Sequence, residues 1–115
     1  MKQLITLLAL LLVHVFVFSQ TEHKIFYDNG NLKQAGQFDV NGKCTGEWKY
    51  YEYSGKLEKV GNFINQQQIE EWFFYIDGYL YNIVDYKDGV IQKDKWYHQN
   101  GKTLALGQYN YSNIN

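Results

Sequence analysis

Polar and apolar positions alternate along most of the chain. In KLEKVGNFI (56–64), Leu57, Lys59, Gly61 and Phe63 fall on one side of an extended strand, while Glu58, Val60 and Asn62 fall on the other. Aromatic runs such as WKYYEY (48–53) and WFFYI (72–76) have the composition of strands. They lead into DNGN (28–31), SGK (54–56), DGY (77–79) and NGK (100–102), the residues that supply positive φ in tight hairpin turns. A second set of turns lies at DVNGK (39–43), NQQQ (65–68) and KDGV (87–90). The pattern predicts an all-β protein, a meander of about eight antiparallel strands.

These strands repeat. Trp48, Trp72 and Trp96 recur at intervals of 24 residues, and the turn glycines Gly30, Gly55, Gly78 and Gly101 follow the same order. Six positions after each turn glycine come Gly36, Gly61, Val84 and Gly107; two positions further come Phe38, Phe63, Tyr86 and Tyr109. Self-similarity at a fixed short period is the mark of a repeat array. The units run over 25–47, 48–71, 72–95 and 96–109. A glycine inside a strand weakens it unless something large approaches there. Gly36, Gly61 and Gly107 share a face with the aromatic two residues on, so each is expected to make room for a tryptophan ring crossing from a neighbouring strand.

YDNGNLKQAGQFDVNGKCTGEWKYYEYSGKLEKVGNF resembles the bacterial variant of MORN repeats, in which Tyr-x-Asn-Gly-x-Leu, Gly-x-Tyr-x-Asn-Gly and Gly-x-Trp recur; relatives include proteins labelled antitoxin-like. The resemblance spans residues 25–109. It departs from the pattern at Gln66 in place of the turn glycine, at Val84 in place of the strand glycine, and in IEEW and KDKW, which lack the glycine of GEW. It implies consecutive hairpins in one elongated, twisted sheet. It also implies an interaction module rather than an enzyme, and it brings no catalytic residues with it.

Residues 1–19 stand apart. One lysine precedes a nearly unbroken apolar run from Leu4 to Phe18, with Val17 and Ser19 at the −3 and −1 positions of a cleavage site. That is the pattern of a helical secretory signal peptide, and the run is shorter than the roughly 20 residues of a membrane span. Export to the periplasm or outer envelope is expected, with an uncleaved anchor as the alternative. Residues 20–115 then form one domain.

Charge narrows the partners. The 11 basic residues are all lysine and face 12 acids, and Lys2 leaves with the leader. Without arginine, the preferred bidentate reader of phosphate and guanine, the domain is not expected to bind nucleic acid, and it offers no basic patch for anionic lipid.

Four sets of side chains invite chemistry. Glu47, Glu70, Glu71 and Asp94 precede the tryptophans, and the repeat would stack them along one edge, either as acid/base or cation ligands or as charges that discourage edge pairing. His23 in the N-terminal tail and His98 in the last aromatic strand, on the Trp96 face, are too scattered for a zinc site. Cys44, placed in the turn NGKCTG and expected to be partly exposed, has no second cysteine to pair with inside the chain; an intermolecular disulfide is the alternative to an incidental thiol. Neither a metal nor a cofactor is expected. Last come the rings that exceed what one buried face can hold: Tyr51, Tyr53, Phe73, Tyr75 and Tyr97. Aromatic surface of this kind suits a protein partner. It also suits stacking on the sugar rings of a glycan such as peptidoglycan, and a two-carboxylate hydrolase is the third reading.

Overall fold

The computed structural model describes residues 21–108; the expected leader and Tyr109 lie outside them. Eight strands follow one another: β1 (Thr21–Phe26), β2 (Leu32–Phe38), β3 (Cys44–Tyr51), β4 (Leu57–Ile64), β5 (Gln67–Ile76), β6 (Tyr79–Lys87), β7 (Val90–Tyr97) and β8 (Thr103–Gln108). They form one antiparallel sheet in the order β1-β2-β3-β4-β5-β6-β7-β8. The sheet is open, with β1 and β8 as its two edges among the described residues.

Turn chemistry explains the hairpins. Asp77-Gly78 and Asp88-Gly89 each place two successive residues at positive φ (48° and 89°; 51° and 79°), the two-residue turn whose twist matches that of the flanking strands. The β1–β2, β2–β3, β3–β4 and β7–β8 turns share another design. In the first, the Tyr27 amide donates to Asn31 O at 2.8 Å and the Gly30 amide to Tyr27 O at 3.0 Å. Asp39 and Asn100 tighten their own turns by accepting downstream backbone amides through Oδ1. The β4–β5 turn departs from the glycine rule, since Asn65 and Gln66 both sit at positive φ (50° and 69°). Gln66 compensates through its side chain, whose Oε1 accepts the Cys44 amide at 2.9 Å and whose Nε2 reaches Cys44 Sγ at 3.3 Å.

A single-layer sheet has no second sheet to form its core, and here the core lies within one face. Trp48 and Trp72 are 2% and 1% exposed. Each indole lies flat on a glycine of the preceding strand. A Cβ at Gly36 would coincide with carbons of the Trp48 ring, and one at Gly61 with carbons of the Trp72 ring. The indole Nε1 groups donate to the next carbonyls along, Trp48 to Gln37 O and Trp72 to Asn62 O, both at 3.2 Å. Burying a ring of about 200 Å² contributes at most about 5 kcal/mol, so two such rings matter greatly to a sheet this thin.

A backbone bulge brings each tryptophan over its glycine. Between β2 and β3, Ala35 pairs with Lys49 and Gln37 with Thr45, so Gly36 alone faces Gly46–Trp48. Between β4 and β5, Val60 pairs with Phe73 and Asn62 with Ile69, so Gly61 alone faces Glu70–Trp72. The residue two before each tryptophan turns to positive φ: Gly46 at 68° and, without the glycine, Glu70 at 58°. The third copy breaks the pattern. Val84 pairs with Asp94 in regular register, and Trp96 is 38% exposed. A valine in the slot and an indole off it are two sides of one steric fact.

Several placements correct the sequence reading. His23 belongs to β1 rather than a tail, and the array includes Thr21–Phe26. Its ring packs against Phe38 and Trp48, with centroids 5.0 and 5.5 Å away. His98 lies past the end of β7, in the turn closed by its amide donating to Lys102 O at 2.8 Å. Cys44 opens β3 and is buried at 8% exposure, because Gln66 covers it. Gly107 pairs with Asp94 rather than receiving Trp96, which stands opposite Ala105. The carboxylates lie within interior strands and not along an edge of the sheet.

Candidate functional site

The two faces of the sheet differ in how far their side chains are already engaged. On the tryptophan face the rings tile edge to face. Phe38 meets Trp48 at 5.3 Å, Trp48 meets Phe63 at 6.1 Å, Phe63 meets Trp72 at 5.0 Å and Trp72 meets Tyr86 at 6.2 Å. Tyr50 bridges Trp48 and Trp72 at 6.3 Å from each, and the Lys59 ammonium lies 4.6 Å from the Tyr50 ring centroid. Burial pushes the phenols of Tyr50 and Tyr86 above their ordinary pKa; the nearby Cys44 sulfur adds to the shift at Tyr50, while a hydrogen bond with Gln68 lowers that of Tyr86.

The opposite face carries a straight cross-strand row. Backbone register links Lys24 to Ala35, Ala35 to Lys49, Lys49 to Val60, Val60 to Phe73, Phe73 to Ile83, Ile83 to Lys95 and Lys95 to Leu106. Its centre, Val60–Phe73–Ile83, is half-buried and has no layer above it among the described residues. Tyr75 follows Phe73 two positions along β5, and Tyr97 follows Lys95 two positions along β7. The Lys95 ammonium lies 5.2 Å from the Tyr97 ring centroid. Phe73, Tyr75 and Tyr97 therefore share one face, as strand alternation requires.

An open groove of about 620 Å³ adjoins this row, lined among others by Glu71, Ile83, Asp85, Lys93, Lys95 and Tyr97. Glu71 stands directly opposite Asp85 and Asp85 opposite Lys93. The lysine offsets a like-charge pair that would otherwise oppose strand association. Glu47 lies two strands before Glu71 and pairs with Lys49 at 3.6 Å, both side chains about half exposed.

Tyr51 follows Lys49 two positions along β3 and so lies on the same face, whereas Tyr53 lies elsewhere, in a ladder of stacked turns. The Tyr27 hydroxyl donates to Tyr51 O at 2.7 Å, and the Asn29 and Asn31 amides donate to Tyr53 O at 2.9 and 3.0 Å. The Tyr53 hydroxyl donates to the Asp28 carboxylate at 2.8 Å, which raises the Tyr53 pKa. Lys56 and Asp77, 3.8 Å apart, carry the ladder to the next turn, and Gln99 donating to the Tyr79 hydroxyl at 2.6 Å carries it to the last. The Tyr53 side chain thus has structural partners in the hairpin one repeat earlier, whereas Tyr51 is engaged there through its carbonyl.

Cys44 and His98 lie at opposite long sides of the sheet, Cys44 beside the β2–β3 turn and His98 in the β7–β8 turn. Among the described residues, no three His, Cys, Asp or Glu side chains come together as a metal site. Sequence reasoning missed Val60, Ile83, Lys49 and Lys95, because only the strand register shows that they continue the row of Phe73.

No protein-family model and no curated protein matches this chain. Among solved structures, it is similar to a chain in the crystal structure of accessory secretory protein 1, 2 and 3 in Streptococcus pneumoniae, at 13% identity and a TM-score of 0.29. The match covers 78% of this chain but spans only 17% of that one.

Proposed function

We propose that this chain is an exported, non-enzymatic repeat module of the MORN type that binds a protein partner in the bacterial envelope. The carrying observation is the uncovered Val60–Phe73–Ile83 row with Tyr75 and Tyr97 beside it. Trp48 and Trp72 are buried and pack with the other rings of their face, whereas Phe73, Tyr75 and Tyr97 are half-buried and lie in a row that no layer covers among the described residues. A flat apolar strip flanked by Lys49 and Lys95 has the apolar centre and charged rim of a protein interface. Export rests on the leader pattern of residues 1–19.

A glycan is the second reading, favoured by the groove in which Tyr97 lies near Glu71 and Asp85. A ring to stack on and carboxylates to accept hydroxyl protons suit a sugar.

The test is a Phe73→Ser/Tyr75→Ser/Tyr97→Ser variant, checked by melting and compared with the wild type in crosslinked pull-downs from the envelope fraction. Loss of a specific protein with the fold intact supports the reading. Undiminished capture refutes it, and loss of retention on peptidoglycan alone moves the assignment to the glycan.

A further inference from the structure

Among the described residues the repeat lattice is incomplete at both edges of the sheet, and the two gaps match. In each interior hairpin, an odd-numbered strand places a ring opposite a position of the following even strand: Trp48 opposite Gly61 and Trp72 opposite Val84. In β1 the residue at that position is His23, opposite Gly36. His23 also repeats the ring geometry, meeting Phe38 edge-on at 5.0 Å with planes 70° apart, as Trp48 meets Phe63 and Trp72 meets Tyr86. Trp48 and Trp72 rest on a glycine of the strand before them; no described strand precedes β1.

At the other edge, β8 ends the row of even strands among the described residues. Ala105 holds the position of Gly61 and Val84 by register, with Gly107 two residues on. The opposite face tells the same story. Even strands contribute Ala35, Val60, Ile83 and Leu106 to the cross-strand row, and odd strands contribute Lys24, Lys49, Phe73 and Lys95. Each aliphatic except Leu106 is flanked on both sides and is half-buried, whereas Leu106 is 73% exposed. Leu104 beside it is 57% exposed, and TLALGQ carries no charge and no proline to discourage pairing.

We infer that β8 of one copy receives β1 of a second copy, head to tail, continuing the meander as an open-ended sheet. His23 of the incoming copy lies beside Ala105 and Gly107 without the ring-on-glycine seat of Trp48, and its Lys24 stem covers Leu106. The strand sense is preserved, because β1 is antiparallel to β2 as β7 is to β8. The contact is heterologous and does not close, so it propagates. This inference uses the edges of the sheet and is independent of the partner proposed for its face.

The test uses the full chain, expressed so that its own processing is retained, in sedimentation velocity over a concentration series. The weight-average mass should rise past that of a dimer without a plateau. A β8 variant (Leu104→Lys/Leu106→Lys) and a β1 variant (Thr21→Lys/Ile25→Lys) should each remain monomeric, and an equimolar mixture of the two should stop at a heterodimer. Melting curves establish that each variant is folded; a single substitution, Leu106→Lys or Ile25→Lys, replaces any that is not. A wild type monomeric at every concentration overturns the inference. So does a closed dimer joined through like edges, which the mixture does not reproduce.

Discussion

Replacing Gly61 with alanine adds one methyl group at the point where the Trp72 ring lies. If the site were open, the change would stabilise the strand by about 0.5–1 kcal/mol, since glycine loses more conformational freedom on folding. Here the new Cβ falls inside the indole, far closer than the roughly 3.5–4.0 Å of carbon–carbon contact. Trp72 is 1% exposed and is held on three sides by Tyr50, Phe63 and Tyr86, so the ring cannot slide within its layer. It must lift off, losing its burial and its hydrogen bond to Asn62 O. The expected loss lies near that of deleting a buried tryptophan, about 3–5 kcal/mol. Urea denaturation followed by tryptophan fluorescence reads it, with red-shifted native emission as the ring becomes solvated. A double-mutant cycle isolates the cause: in a Trp72→Ala background, Gly61→Ala should cost nearly nothing. Equal or higher stability of Gly61→Ala in the wild-type background would falsify the ring-on-glycine account.

Other positions supply independent checks. Glu70→Gly should stabilise by up to about 1 kcal/mol, because it relieves a positive φ of 58°; Glu71→Gly, lacking that strain, should destabilise in the same denaturation assay. Gln66→Ala should cost about 1–2 kcal/mol through the unpaired Cys44 amide and should speed labelling of the buried Cys44 thiol by a maleimide. Tyr50 and Tyr86 have raised pKa values in the folded state, so the unfolded chain loses these protons first. The stability they contribute is present in full below the unfolded tyrosine pKa of about 10 and is lost as pH rises through the folded values. Melting temperature should therefore fall above that pH, less steeply in Tyr50→Phe.

The eight strands and their order were legible because turn pairs such as Asp-Gly punctuate alternating runs, and because offsets from each turn glycine recur. The contact between tryptophan and glycine was legible at Gly36 and Gly61 for the same reason. The bulges were not, since Glu70 gives no sign of a left-handed backbone; only comparison with Gly46 in GEW points to it. Cys44 read as exposed because its cover, Gln66, comes from a turn 22 residues on. His23 read as a tail residue because its homology to Trp48 and Trp72 lies in register and not in residue type. Among the candidate binding residues, Phe73 and Tyr75 share a face because they lie two positions apart along β5. Tyr53 read as surplus because its partners, Asp28, Asn29 and Asn31, lie in a neighbouring turn that stacks on it only in three dimensions.

The proposed binding face is tested most directly by a photo-crosslinking amino acid placed in vivo at single positions on each side of the sheet. Placed at Phe73, Tyr75 or Ile83, it should yield the same crosslinked protein, while at Tyr50 or Tyr86 on the tryptophan face it should yield none. Crosslinks from the tryptophan face, with none from Phe73, would contradict the account.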